Sequence, residues 1–350
     1  MDFFNTIHAI LRAFYQRWRF RYYLARAYTS YWRSLLRRPN QVIDTWTNGR
    51  PLGRRVAVFV HFDTDCAVQP FVLAYLQALH ALAIDIVFVT NSGTLTAAAR
   101  AALQPLCAAV LIRRNIGYDF GAMRDGLTHV AATPATTDLL LVLNDSVYGP
   151  LSDLSDLIAR IDFTRADVWG ATESYQNRYH LQSFFIAAGP AALSSTAWDR
   201  FWKTVRPVRN KLWVILNYEI GMTRTLLKHG LRCAALYPYR DLVARIDPTP
   251  LVRPDKDTPD DTDAFVINRK AHLRRLLDAA ARRVPLNPTA ELWRQLMELR
   301  FPFIKRELLR DNPVSVIDIA DWRDMARANY DADLSAIEDD LQRVLRDRTP

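Results

Sequence analysis

An α/β fold, with a mainly parallel sheet flanked by helices, is the class this sequence predicts, and three observations predict it. Apolar runs of strand length recur through the first half of the chain, at Arg54 to Asp63, Ile84 to Thr90, Val110 to Arg113 and Leu139 to Leu143. Segments with helical periodicity separate them, and strands alternating with helical stretches of about 10–15 residues imply βαβ units and parallel pairing. Finally, polar clusters stop the apolar runs abruptly, as in Asn144-Asp145-Ser146. In open α/β sheets the carboxyl ends of strands are where ligands bind.

The chain has 350 residues, 50% of them apolar, which suffices for a packed core in one large or two modest domains. Cys66, Cys107 and Cys233 are odd in number and far apart. They form no disulfide framework and no paired metal spacing, which fits a reducing cytoplasm. The window Cys66 to Ile84 lacks Asp, Glu, Lys and Arg, but it carries Gln69, Pro70, Gln77 and His80. Its apolar residues recur at helical spacing, as in a helix packed after the first strand. Arginines interrupt every apolar stretch near the start, which argues against a signal peptide.

The formal charge of +9 is concentrated at the front. Residues 1–40 hold eight arginines against the single acid Asp2, a net +7, leaving +2 for the other 310 residues. Phe4, Ile7, Leu11, Phe14, Trp18, Arg21, Ala25, Tyr28, Trp32 and Leu35 follow an alternating three-and-four spacing, so this arm reads as one basic amphipathic helix ending near Pro39. Its aromatic seam flanked by arginines suits an anionic membrane surface. Packing on the rest of the chain is an equal alternative, and the seam would also permit a homodimer. Nucleic acid is disfavoured as a partner, because no base-reading module accompanies the charge.

Residues 54–247 read as the α/β domain. After its second strand come a helix at Ala97 to Leu106 and the segment RRNIGYDFGAMRDG, Arg113 to Gly126. Gly117, Gly121 and Gly126 permit tight turns and close approach, while Arg113, Arg114, Asn115 and Asp119 supply charge and hydrogen bonds to an anionic, phosphate-bearing ligand. A helix is expected at Asn217 to His229, capped by Gly230. Pro248 to Asp263, rich in proline and acids, reads as a linker before a helical C-terminal region, residues 264–350.

In this order the pieces resemble sugar-nucleotide-dependent glycosyltransferases of the GT-A type, whose sheet is Rossmann-related. More closely, the chain resembles the rhamnan synthesis protein F family of bacterial polysaccharide biosynthesis. The matching strings are VAVFVHFD (Val56 to Asp63), RRNIGYDFGAMRDGL, LVLNDSVYGPL, WGATES (Trp169 to Ser174), HLQSFF (His180 to Phe185), NYEIGMTRTLLKHG (Asn217 to Gly230) and NPTAELWRQLMELRFPFIKRELLRDNP (Asn287 to Pro313).

The resemblance implies roles. His61 and Asp63, with Asn91 of Thr90-Asn91-Ser92, would hold the nucleoside; a hydrogen-bonded structural role for His61 is equally open. Asn115, Gly117 and Asp119 would contact the nucleotide or brace its loop. Arg113 and Arg114 would offset the diphosphate charge, with strand alternation turning one of them to solvent. Asn144-Asp145-Ser146 stands where an Asp-X-Asp triplet would bind Mg²⁺ or Mn²⁺, yet only its middle residue is a carboxylate. Asp145 is thus a metal ligand or, alternatively, a partner of sugar hydroxyls with cationic side chains neutralising the phosphates. Glu219 is the expected catalytic base, a capping role at a helix start being equally open, with Glu173 as the runner-up carboxylate. His180, Gln182 and Ser183 are expected to line the acceptor side. Lys305 and Arg306 in PFIKRELL either close over the diphosphate or, as slightly favoured, lie on a packed helix with their charges solvated.

The expected activity is glycosyl transfer from a nucleotide sugar to a growing bacterial surface polysaccharide. By the family name the donor is dTDP-L-rhamnose and the acceptor a lipid-linked glycan. The arm then places the protein on the cytoplasmic side, peripheral to the inner membrane. Sugar-phosphate transfer to a glycan, or a non-catalytic assembly role, are the alternatives.

Overall fold

A computed structural model describes residues 19, 21–132, 136–249 and 264–346. Strands β1 (Val42–Thr47), β2 (Arg55–His61), β3 (Asp85–Thr90), β4 (Cys107–Arg113), β5 (Leu139–Asn144), β7 (Val168–Ser174), β9 (Phe185–Ala188) and β10 (Cys233–Tyr237) form one sheet. Their order is β1-β4-β3-β2-β5-β9-β7-β10, with the short β8 (His180–Leu181) paired to β7. β2, β3, β4 and β5 are mutually parallel, as are β7 and β10. β9 runs antiparallel between β5 and β7, and β1 closes the far edge antiparallel to β4. The mostly parallel sheet flanked by helices is the expected class; β1 and β9 are additions that no periodicity announced.

The strands are apolar on both faces because both faces are covered. Along β2, Ala57 and Phe59 enter one cluster while Val56, Val58 and Val60 enter the opposite one. Helix Tyr118–Ala131 lies on the second face. A Cβ at its Gly126 would stand 2.5 Å from Val58 Cγ1, so only glycine permits this approach. The first face is covered by helix Pro70–Ala81 and by the C-terminal region: Leu276, Trp293, Leu308, Ile337 and Leu341 share one cluster with Phe59 and Phe88. Residues 264–346 therefore complete the core of the sheet, and the boundary expected at the linker does not divide it.

The arm's described part, residues 21–35, is helical, but its packed face is not the expected seam. Ala27 and Ser34 are buried, Tyr31 stacks on Trp213 at 4.4 Å between ring centroids, and the Arg209 N–H donates to Ser30 Oγ. Tyr28, Trp32 and Leu35 of the seam are exposed. Small side chains at 27, 30 and 34 let the helix approach closely, and this outweighs the pull of the larger apolar residues. The seam positions Phe4 to Trp18 lie outside the described residues. Among the described residues no helix is long and apolar enough to cross a membrane.

Candidate functional site

Sheet order reverses at β2: the chain moves to β3 and β4 on one side and returns to β5 on the other. A crevice at such a switch point, at the carboxyl ends of the strands, is the expected ligand position. Here it brings His61-Phe62-Asp63 beside Asn144-Asp145-Ser146. The Asp145 N–H donates to Val60 O at 3.1 Å, and the Phe62 N–H donates to Asp145 Oδ2 at 3.1 Å.

The glycine segment enters from β4. Gly117 has φ +99°, and a Cβ there would lie 3.0 Å from Pro207 Cα, so the turn into helix Tyr118–Ala131 requires glycine. The turn carries Asp119 to the crevice, where its Oδ2 accepts from Asn144 Nδ2 at 3.0 Å. Glu219 arrives from the other side, at the end of a π-turn, Val214–Glu219, set within a helix that runs from Lys211 to Lys228. It is therefore mid-helix, not a capping residue at a helix start. Its Oε1 accepts from both the N–H (3.2 Å) and the hydroxyl (2.9 Å) of Ser183. Gly230, with φ +82°, ends this helix as the sequence predicts.

The cation among these acids comes from far down the chain. β11 (Ile304–Lys305) pairs antiparallel with β6 (Val147–Tyr148), the two residues that follow the Asn-Asp-Ser cluster. This pairing sets Lys305 Nζ 2.8 Å from Ser146 Oγ and 4.9 Å from the centroid of Phe184. Arg306 donates to the Asp145 carbonyl at 3.0 Å and lies 3.6 Å from its carboxylate. The expectation that these two charges are solvated fails, because strand pairing turns both into the crevice.

Burial pushes the carboxyls of Asp119 and Asp145 up to about 6. Asp145 adds to the rise at Asp119 while Lys305 opposes it; Arg306 opposes the rise at Asp145. Burial also lowers the Lys305 ammonium, against the pull of Glu219, Asp119 and Asp145. These groups thus share one electrostatic field, with two shifted carboxyls facing a half-buried cation.

Several expected donor contacts have other duties. Arg113 is fully buried: Nε donates to Asp125 at 3.0 Å, Nη2 to the Ile116 carbonyl at 2.9 Å, and Nη1 to Asn91 Oδ1. It braces the glycine turn and spends its donors within the protein, whereas Arg114 is exposed, the alternation foreseen for the pair. Asn115 is exposed at the turn. Asp63 accepts from Gln69 (3.0 Å) and Arg343 (3.1 Å), and its Oδ1 accepts from the Asp65 N–H (2.8 Å). His61 is buried beside Thr90 Oγ1 at 3.1 Å, and burial lowers it to about 4, so the ring is neutral at pH 7. Glu173 Oε1 accepts from the Tyr239 N–H at 3.0 Å, His180 Nδ1 bonds the Arg178 carbonyl at 2.8 Å, and Gln182 bridges Thr172 and Thr289. Of the expected acceptor residues, only Ser183 adjoins the acid cluster directly.

Sequence reasoning also missed Asp340 and Arg343 in helix Ser335–Arg346. Asp340 accepts from Tyr148 (2.7 Å), Arg306 (3.1 Å) and Arg343 (2.8 Å), and Arg343 reaches Asp63 and Asp65. Nothing local in the sequence signals a partnership across so many residues.

Fold and crevice together define an α/β protein with a charged cleft at the switch point of its sheet. Over residues 86–252 the chain matches the model of the family described as rhamnan synthesis protein F. It is 30% identical over 207 residues to the uncharacterized protein y4gN of Sinorhizobium fredii, covering 57% of this chain and 53% of that one. It is 31% identical over 215 residues to virulence protein VirA of Vibrio anguillarum, covering 59% and 64%. The chain thus spans between about half and just under two thirds of the curated relatives it matches. A solved mannosyltransferase from Pyrobaculum calidifontis, in complex with GDP-Man and Mn²⁺, aligns over 90% of this chain and 86% of its own, at 13% identity and a TM-score of 0.31. That score is too low to bear on the reaction.

Proposed function

We propose that the chain is a glycosyltransferase that moves a sugar from a nucleotide-sugar donor to a bacterial surface polysaccharide. The donor is a deoxyhexose nucleotide such as dTDP-L-rhamnose, and the acceptor is a lipid-linked glycan. One observation carries the reading: three carboxylates, Asp119, Asp145 and Glu219, gather around Lys305 at the switch point of a sheet, and the glycine segment and all three carboxylates lie within the matched family region. Such a set supplies what transfer requires, a base for the acceptor hydroxyl and charge for the departing diphosphate. Ser183 orients Glu219 as the base, and Asn144 holds Asp119 against the donor.

A thermal-shift screen of dTDP-, UDP- and GDP-sugars tests this, because a ligand that binds only the folded state raises the midpoint with concentration. One donor class is expected to shift the wild type and not Asp145→Ala. A flat response to every donor from folded protein would sink the reading and leave a binding or assembly role.

The arm then serves as a peripheral membrane contact. Trp32 is 64% exposed and Leu36 91%, beside the exposed Arg21, Arg33 and Arg38, while the opposite face is anchored on Trp213. An aromatic and basic face suits anionic lipid headgroups on the leaflet where a lipid-linked acceptor would lie. Trp32→Ala combined with Arg33→Glu is expected to release protein from phosphatidylserine vesicles in a sedimentation assay. Equal pelleting of variant and wild type would remove this role.

A further inference from the structure

We propose that the leaving diphosphate is neutralised in this site by the ammonium of Lys305 in place of a divalent metal ion. The inference rests on the glycosyltransferase reading and concerns how that site handles charge. Its first ground is the donor set. In the Asn-Asp-Ser triplet, Asn144 Oδ1 accepts from Ser146, and Ser146 Oγ accepts from Lys305. Asp145 Oδ2 accepts from the Phe62 N–H and faces Arg306. Among the described residues no group of three or more His, Cys, Asp or Glu is arranged to hold a metal ion. Mg²⁺ asks for near-octahedral oxygen ligands, and Mn²⁺ likewise favours carboxylates, carbonyls and water. Asn144 Oδ1, Asp145 Oδ2 and Ser146 Oγ are already engaged by O–H, N–H and ammonium donors, which leaves Asp145 Oδ1 as the one side-chain oxygen of the triplet without such a donor, so the residues present fit such an ion poorly.

The second ground is the placement of the cation. Lys305 is held by β-pairing to the segment that follows the triplet, at the third triplet position, and only half-buried, so a phosphate oxygen can reach it. A lysine ammonium binds phosphate as a compact point charge, and away from bulk water that charge counts for more. A divalent ion at Ser146 would meet this ammonium head-on. In the reaction the anomeric C–O bond breaks with its electron pair passing to the diphosphate oxygen. The acceptor oxygen bonds to the anomeric carbon, and its proton passes to Glu219. Lys305 meets the charge that develops on the leaving oxygen.

Calorimetric titration of the full chain and of its Lys305 variants with UDP, dTDP and GDP, in EDTA and then with Mg²⁺ or Mn²⁺, tests this. One nucleotide is expected to bind with affinity in EDTA within about threefold of that with metal. Lys305→Met should weaken it about 10- to 100-fold, as loss of a charged hydrogen-bond partner does, while Lys305→Arg keeps most of the affinity. Binding that appears only with metal, or that survives Lys305→Met in a folded variant, overturns the inference and leaves the donor reading intact. Silence of all three nucleotides under both conditions would instead remove the donor reading, and this inference with it.

Discussion

Glu219→Gln is expected to lower kcat about 100- to 10,000-fold, the usual worth of a positioned general base, with little change in KM for the donor. Glutamine keeps the shape and an acceptor oxygen for the Ser183 N–H and hydroxyl, so the thermal midpoint should barely move. What it loses is the capacity to take the acceptor's proton. A transfer assay with the donor identified by thermal shift checks this. A variant retaining more than about a tenth of wild-type kcat would strip Glu219 of the base role.

The second large effect is on stability and lies just beneath the site. Asp125→Ala is expected to cost about 3–5 kcal/mol in denaturant unfolding, because it leaves the Arg113 guanidinium buried without its counter-charge. Both side chains of that pair are essentially inaccessible, at 0% and 1% exposure. Asp125 Oδ2 also accepts from the Gln41 N–H at 3.1 Å, so the substitution loosens the entry to β1 as well. Since Arg113 holds the Ile116 carbonyl and Asn91, donor binding should weaken in parallel. A loss below about 1 kcal/mol would mean the pair is less isolated than its burial indicates.

The parallel half of the sheet was legible because its strands are covered on both faces and hence read as unbroken apolar runs. β2, β3 and β5 fall within a residue or two of the expected spans. β4 is longer than expected, beginning at Cys107, because its alanines look like the end of the preceding helix. β9 and β8 are too short for any periodicity to register. Within the candidate site, Asp119, Asn144 and Asp145 are legible because each lies in a glycine-bearing or strand-terminating motif, whereas Glu219 rests on the family resemblance of its segment. The family resemblance points to Lys305 and Arg306, but their charges read as solvated because the two residues of β11 give no local sign of the strand they pair with. Arg113 misleads in the opposite sense: an arginine at a strand end suggests a ligand contact, but its partner Asp125 sits about two turns along the next helix and claims it.

The pairing of β11 with β6 also orders events in time. Phe59, Phe88 and Leu143 can cluster once βαβ units have formed, whereas Lys305 meets Ser146 only across a sequence separation of 159 residues. Contacts of such separation carry a loop-closure cost that must be met before they stabilise anything. Acids and cation therefore come together late, after the sheet that supports them. A nascent chain with its sheet already formed would hold the acidic half of the crevice without its ammonium, and would acquire competence for donor phosphates only as the last helices close over the first face.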